Sequence, residues 1–260
     1  MTTPLRVQII SDLHLDVAAH KPIAIADNVD AVIVAGDTCE GVLRAFEQLR
    51  RIVPMAIPIA MVLGNHEYYR RFVPDELSLA REHAPSFNIH VLENDAVVIG
   101  GVRFVGATLW TDYAVFGEAN VAGVMNACAS GMNDHRLIGW QKQPWLRFRP
   151  QEALLLHQRS RAFLDEMLAT PCEGPTVVVT HHAPHWDSVH PRFRSDPVTG
   201  AFASDLSSLI VLHQPSLWVH GHVHNSSAYR VGASRIVCNP HAYGPENPAF
   251  NGQLVVEVGT

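Results

Sequence analysis

Short apolar runs alternate with amphipathic stretches through the first third of the chain. Leu5–Ile10 is rich in β-branched residues, and Ala31–Ala35 and Pro58–Leu63 are apolar on both faces. A run without a polar face fits a strand buried between layers, so all three are predicted as strands of that kind. Gly41–Val53 instead places Leu43, Phe46, Leu49 and Ile52 at helical spacing. Pro74, with Asp75 and Glu76 behind it, opens a second helix to about His83. Proline suits a first turn whose N–H lacks an intrahelical partner, and acidic side chains suit the positive end of the helix dipole. Ala96–Ile99 and Val102–Leu109 flank Gly100-Gly101 and predict a hairpin. A long helix is expected from Pro150 to about Ala169, with Leu156, Phe163, Leu164, Met167 and Leu168 apolar. Strands return at Thr176–Thr180, Ser216–Val219, Ala228–Val231, Arg235–Cys238 and Gln253–Val258, with a turn at Gly232-Ala233.

Residues 113–149 show little periodicity. They read either as a cap or lid over a site or as a bland excursion, because long loops are only sometimes functional. The chain carries no repeat, linker or low-complexity tract. It is predicted as one α/β domain over residues 1–260, with β-α-β units first, hairpins later, and two packed sheets with helices outside.

Composition narrows the function. Apolar residues make up 47% of the 260 and charged residues 17%, which supports a sizeable core and excludes a disordered chain. No apolar run approaches the ~18 residues of a membrane span, and Met1–Val7 reads as a strand rather than a secretory leader. The net charge of −6 argues against broad nucleic-acid binding. Cys39, Cys128, Cys172 and Cys238 are scattered, so neither a disulfide framework nor a thiolate zinc site is expected, and a reducing cytoplasm is the simplest location. The unusual count is histidine, at 16. Imidazole is the commonest side-chain metal ligand, so what matters is whether these histidines gather with carboxylates.

Five segments, each following an apolar run, hold that chemistry: Ser11-Asp12-Leu13-His14, Gly36-Asp37, Gly64-Asn65-His66-Glu67, His181-His182-Ala183-Pro184 and Gly221-His222-Val223-His224. Ligands commonly sit beyond the carboxyl ends of strands in α/β sheets. In extended backbone, residues i and i+2 share a side, so Asp12 with His14, and His222 with His224, are each placed to hold one ion. Asp37 offers two oxygens, enough to bridge two ions, and Asn65 offers an amide oxygen. Mixed O/N donors without sulfur suit Mn, Fe, Zn, Co or Ni. The glycines before Asp37, Asn65 and His222 allow sharp turns and close approach. Each block alone is a weak signal: a lone G-D is usually a turn, and N-H-E also fits a helix entry. All five in this order are not.

With those blocks in view, the sequence resembles the calcineurin-like metallophosphoesterase superfamily, whose signature is D-x-H, G-D, G-N-H-E/D, H and G-H-x-H in that order. The resemblance runs from Asp12 to His224, and Thr108–Asp112 and Trp218–His224 are similar to segments of a bacterial branch. It implies the metallo-dependent phosphatase fold, a four-layer αββα sandwich of two mixed β-sheets flanked by helices, with a two-metal site at one edge. Carried over block by block, one metal would take Asp12, His14 and His224, the other Asn65, His181 and His222, and Asp37 would bridge them. His182 is the second choice for the ligand in its block. His66 binds no metal in that family and would lie beside the phosphate with Asn65, as the acid for the leaving alkoxide or a donor to a non-bridging oxygen. The second block lacks the Asp-Arg-Gly of protein phosphatases, which disfavours a Ser/Thr protein phosphatase, and Glu40 stands where purple acid phosphatases place a tyrosine ligand, which argues against a ferric-tyrosinate centre.

The resemblance thus implies a dinuclear phosphoesterase acting on a small phosphate ester. Manganese is placed first among the metals, and a metal-bridging hydroxide would attack phosphorus in line. With two divalent ions, Asp12, Asp37 and a hydroxide, the site would carry about +1 and attract a phosphate despite the acidic chain. Phosphodiesters are placed ahead of monoesters, because the motif blocks hold no Arg or Lys for a dianion. The alternative is a non-catalytic metal- or protein-binding module on the same fold. Glu67 and His220 are adjacent candidates to support the ligands, and His241 is a further candidate near the pocket. Arg70 and Arg71, Arg136, and His20, His83, His90, His157 and His213 read as solvated or packing residues, and Cys39 as a buried thiol.

Overall fold

A computed structural model describes residues 3–17 and 23–259, so His20 lies outside the described residues. In chain order the first half runs β1 (Leu5–Ile10), β2 (Ala31–Ala35), α1 (Val42–Ile52), β3 (Ile59–Val62), α2 (Val73–His83), β4 (Ile89–Val91), β5 (Asp95–Ile99) and β6 (Val102–Ala107). Then follow α3 (Val121–Gly131), α4 (Asp134–Leu137), β7 (Gly139–Gln141), β8 (Leu146–Arg147), α5 (Pro150–Ala169) and β9 (Thr176–Thr180). The last part is α6 (Ser207–His213), β10 (Leu217–His220), β11 (Ser227–Val231), β12 (Ser234–Cys238) and β13 (Val255–Val258).

Two mixed sheets form. The first has the order β13-β1-β2-β3-β4, parallel except for β13. The second has the order β11-β12-β10-β9-β6-β5, with a parallel centre and antiparallel edges β11 and β5. Three hydrophobic clusters fill the spaces between layers. Ile10, Val32, Val34, Ile59 and Met61 of the first sheet pack with Phe46 and Leu49 of α1. On the other side of that sheet, Val7, Ile9, Ile33, Ala60 and Val62 meet Phe104, Val177, Val179, Val219 and Val237 of the second. Val105, Val178, Trp218 and Ile236 then cover Leu164 of α5 and Leu209 and Ile210 of α6. The order of layers is helix, sheet, sheet, helix. Alternate residues of a strand face opposite sides, so strands lying between two covered faces must be apolar throughout, which is the pattern the sequence shows at β2 and β3.

Residues 113–149 hold α3, α4 and the small β7–β8 hairpin, none of which periodicity announced. The reason is composition: α3 reads VAGVMNACASG and buries only Val124 and Cys128, so no apolar stripe develops. These two, with Met132, Ile138 and Phe148, join the cluster that lies under α1. α6 and the three-residue β4 are also absent from the sequence reading, being too short to establish a period.

Candidate metal centre

The motif blocks lie just beyond the C-terminal ends of β1, β2 and β3 in one sheet and of β9 and β10 in the other. The backbone there is not extended. Asp12, His14, Asp37, His222 and His224 have φ of 51°, 45°, 57°, 68° and 52°. The expected sharing of a side by residues i and i+2 is therefore replaced by a different route: the segments after β1, β2 and β10 turn left-handed as they leave their strands. That conformation is disfavoured by about 1–2 kcal/mol for an L-residue, and bonds between segments hold it. Asp12 N donates to Gly36 O (3.0 Å) and His14 N to Asp37 O (3.0 Å). The carboxylates also brace their neighbours, with His222 N donating to Asp12 Oδ1 (2.9 Å) and His66 N to Asp37 Oδ1 (2.8 Å). Two glycines make room for this: a Cβ on Gly64 would overlap Asp37 Oδ1, and one on Gly221 would lie 2.5 Å from Asp12 Oδ2.

Two donor sets result, Asp12 with His14 and His224, and Asp37 with His181 and His222; Asp37 also groups with His14 and His66. His14 Nε2 faces His224 Nε2 at 3.1 Å, and His224 Nε2 lies 3.6 Å from Asp12 Oδ1. Asp37 stands between the sets, its Oδ2 3.8 Å from His14 Nε2 and its Oδ1 3.5 Å from His181 Nε2. Asn65 Oδ1 reaches His181 Nε2 at 2.9 Å. All seven residues are buried except His224, which is half-buried. His181 Nδ1 bonds to Ala35 O (2.8 Å), which leaves its Nε2 facing the carboxylate. His182 instead turns its Nδ1 to Thr108 O (3.1 Å) and lays its ring against Trp110 and His222, so His181 is the one that joins the set.

The donors fit a metal on the evidence of their unmet bonding. Asp12 Oδ2 and His222 Nε2 are buried without a hydrogen-bond partner, a costly state unless something else engages them. His14 Nε2 and His224 Nε2 face each other at 3.1 Å and group with Asp12, close enough for one cation to take all three donors.

Burial pushes His14 down to about 2 against the pull of Asp37, and it pushes His222 well below the ordinary histidine range. Both rings are therefore neutral and ready to ligate. Burial would lower His181 too, but the Asp37 carboxylate outweighs it and holds His181 at about 10. In turn Asp37, which burial would raise, is held well below the usual carboxylate range by His181.

A surrounding layer fixes these groups. Glu67 accepts from the backbone N–H of Asp37 (3.0 Å), Thr38 (2.7 Å) and Gly64 (2.7 Å), tying two motif blocks together. Asp134 Oδ1 accepts from Asn65 Nδ2 and from the Tyr69 hydroxyl, each at 2.9 Å. The Tyr243 hydroxyl meets His66 Nε2 at 3.0 Å, and its ring lies 4.3 Å from that of His14. Glu246 Oε2 pairs with His224 Nδ1 at 3.1 Å. Sequence reasoning missed Asp134, Tyr243 and Glu246. Tyr243 closes the C-N-P-H-A-Y segment, in which His241 drew notice; His241 packs its ring edge on Phe250 and bonds to Ala242 O. His220 bonds to Ser188 and Gly221 rather than to a donor. Arg70 is exposed and pairs with Glu40, Arg71 lies beside Glu76, and exposed Arg136 donates to Ser130 O. Cys39 is wholly buried, its thiol raised by burial.

A two-sheet sandwich with imidazole and carboxylate donors gathered at its strand ends defines a class of metal-dependent phosphoesterases. The sequence model of the calcineurin-like phosphoesterase family matches residues 5–226, and the chain belongs to that family. It is 25% identical over 224 residues to uncharacterized protein L509 of Acanthamoeba polyphaga mimivirus, spanning 80% of this chain and 76% of that one. The crystal structure of phosphopantetheinyl hydrolase from Mycobacterium tuberculosis matches with a TM-score of 0.66 and 17% identity, covering 95% of this chain and 92% of that one. Purple acid phosphatase PPD1 of yellow lupin (Lupinus luteus) matches with a TM-score of 0.50 and 13% identity, over 92% of this chain and 44% of that one. At these identities what is shared with the solved structures is the fold. Among the described residues no helix is long and apolar enough to cross a membrane.

Proposed function

We propose that this metal-dependent phosphoesterase hydrolyses small phosphodiesters in preference to monoesters, using two divalent cations held by the gathered donors. Asp12, His14 and His224 would hold one cation, Asn65, His181 and His222 the other, with Asp37 between them. The observation that carries this reading is the position of Asp37, which turns one oxygen toward His14 and the other toward His181. Bound there, the cations would polarise a phosphoryl oxygen and lower the pKa of water toward neutrality. Manganese is our first choice, and the same donors also accept Fe, Zn, Co or Ni.

The chain's own residues supply orientation and a proton. His66 Nε2 and the Tyr243 hydroxyl share one hydrogen bond. In the imidazolium form Nε2–H donates to the phenol oxygen; in the neutral Nδ1–H tautomer the phenol donates to Nε2. The pair therefore holds a proton beside the donors, ready for the leaving oxygen. The diester preference rests on charge. Among the described residues, Glu67, Asp134, Tyr69, Tyr243 and Glu246 are the side chains that brace the donor blocks and His66, and none is a cation. A monoester dianion would meet no arginine among these side chains, whereas a diester monoanion needs less compensation.

Metal-free protein reconstituted with each metal in turn tests this. We expect two equivalents bound and a higher kcat/KM for bis(p-nitrophenyl) phosphate than for p-nitrophenyl phosphate. A faster monoester overturns the preference, and two bound metals without turnover of either ester favour a non-catalytic binding module.

A further inference from the structure

A cavity of about 430 Å³ opens beside the donors, and His222 and His224 form part of its wall. We infer that it is the subsite for the retained arm of a phosphodiester, and that this arm is uncharged and apolar; the inference rests on the diesterase reading above. Its size falls within the ~300–1,000 Å³ of pockets that enclose a small organic group. The wall continues through Phe202, whose ring stacks on His222 with centroids 4.5 Å apart, and through Val189, Val198 and Phe193. A group seated there would lie against apolar surface while its ester phosphorus stayed at the donors.

Charge and position decide which arm. The ionisable groups on the wall besides histidine are Asp196, Glu246 and Arg192, an excess of one negative charge. Arg192 lies over the Phe193 ring at 4.4 Å, and Asp196 accepts from Val198 N. A second anionic group on the arm, held away from the donors, would meet the negative excess of this wall. His66, the proton holder, is not part of this wall. The leaving oxygen departs toward the His66–Tyr243 pair, so the cavity on the His222–His224 side takes the arm that stays on phosphorus.

The test uses p-nitrophenyl phosphodiesters whose second arm is methyl, phenyl or 4-carboxyphenyl, with the Mn²⁺-loaded protein. We expect kcat/KM for the phenyl diester to exceed that for the methyl diester by about tenfold or more, with the carboxyphenyl diester well below the phenyl. Phe193 is 41% exposed, so Phe193→Ala spares the fold; it should lower the phenyl-to-methyl ratio severalfold. Val198→Trp, which narrows the cavity, should lower the same ratio further, and if that variant does not fold, Phe193→Ala decides alone. Equal rates for methyl and phenyl, or a ratio indifferent to Phe193→Ala, overturn the subsite. A carboxyphenyl arm as good as phenyl overturns the uncharged arm. Turnover of none of the three diesters sinks the diesterase reading itself, an outcome distinct from turnover without arm dependence.

Discussion

Asp134→Ala tests how the amide of Asn65 is aimed. An ionised carboxylate only accepts hydrogen bonds, so Asp134 Oδ1 draws the NH₂ of Asn65 toward it, which leaves the amide oxygen facing His181 Nε2 at 2.9 Å. Removing the carboxylate strips one partner from the Asn65 amide and one from the buried Tyr69 hydroxyl. Each orphaned donor costs about 1–3 kcal/mol, so the variant should lose about 2–6 kcal/mol of stability, less where water enters. Loss of an outer-layer partner to a metal ligand typically weakens metal binding by about 10–100-fold. Calorimetric titration of metal-free protein with Mn²⁺ reads this directly. One of the two binding steps should weaken by that factor, and the step assigned to Asp12, His14 and His224 should hold. Asp134→Asn should restore most of the stability but not all of the affinity, because its amide can present either end to Asn65. Two unaltered affinities in Asp134→Ala would refute the reading that this carboxylate aims the ligand.

His66→Ala should keep both metals and lower kcat by about 10²–10⁴, best read with an alkyl leaving group, since p-nitrophenolate departs without a proton; Tyr243→Phe should show a smaller loss in the same assay and a shifted alkaline limb in its pH profile. Metal binding should tighten as pH rises from about 6.5 toward 10, by about tenfold per unit for one displaced proton, because His181 is held at about 10 and must lose its proton to ligate; calorimetry in buffers of different ionisation enthalpy counts that proton. The sign for folding is the reverse: a raised histidine pKa stabilises the metal-free fold fully below about 6.5, and that contribution is lost as pH climbs through about 10. Glu67→Gln should cost about 2–4 kcal/mol, since an amide NH₂ must face at least one of three backbone N–H groups that the carboxylate now accepts from, and a denaturant titration measures it.

What the sequence made legible and what it hid divide along physical lines. The strands beneath the centre were readable because they lie between two covered faces, and Ala31–Ala35 can bury both of its sides only by being apolar throughout. Five polar blocks at five strand ends then mark one edge of the fold. The route of the backbone at that edge was not readable. The i, i+2 argument presumes extended chain, while Asp12, His14, His222 and His224 all turn left-handed, and nothing in D-L-H or H-V-H announces that. The choice between His181 and His182 depends on a carbonyl 146 residues earlier in the chain, Ala35 O. Asp134 and Tyr243 reach their partners across 69 and 177 residues from segments without periodicity.

The left-handed turns carry a cost. Five of the seven donors, Asp12, His14, Asp37, His222 and His224, adopt that conformation, and at about 1–2 kcal/mol each they approach the ~5–15 kcal/mol by which a whole domain is stable. Such a turn persists only where bonds from elsewhere over-determine it. The carboxylates of Asp12 and Asp37 supply part of that by accepting from the backbone N–H of His222 and His66. The same two side chains, placed where they could serve a metal, therefore also clamp the turns that carry His222 and His66. A substitution at Asp37 should disturb both sets at once, which no count of its ligand bonds alone would predict.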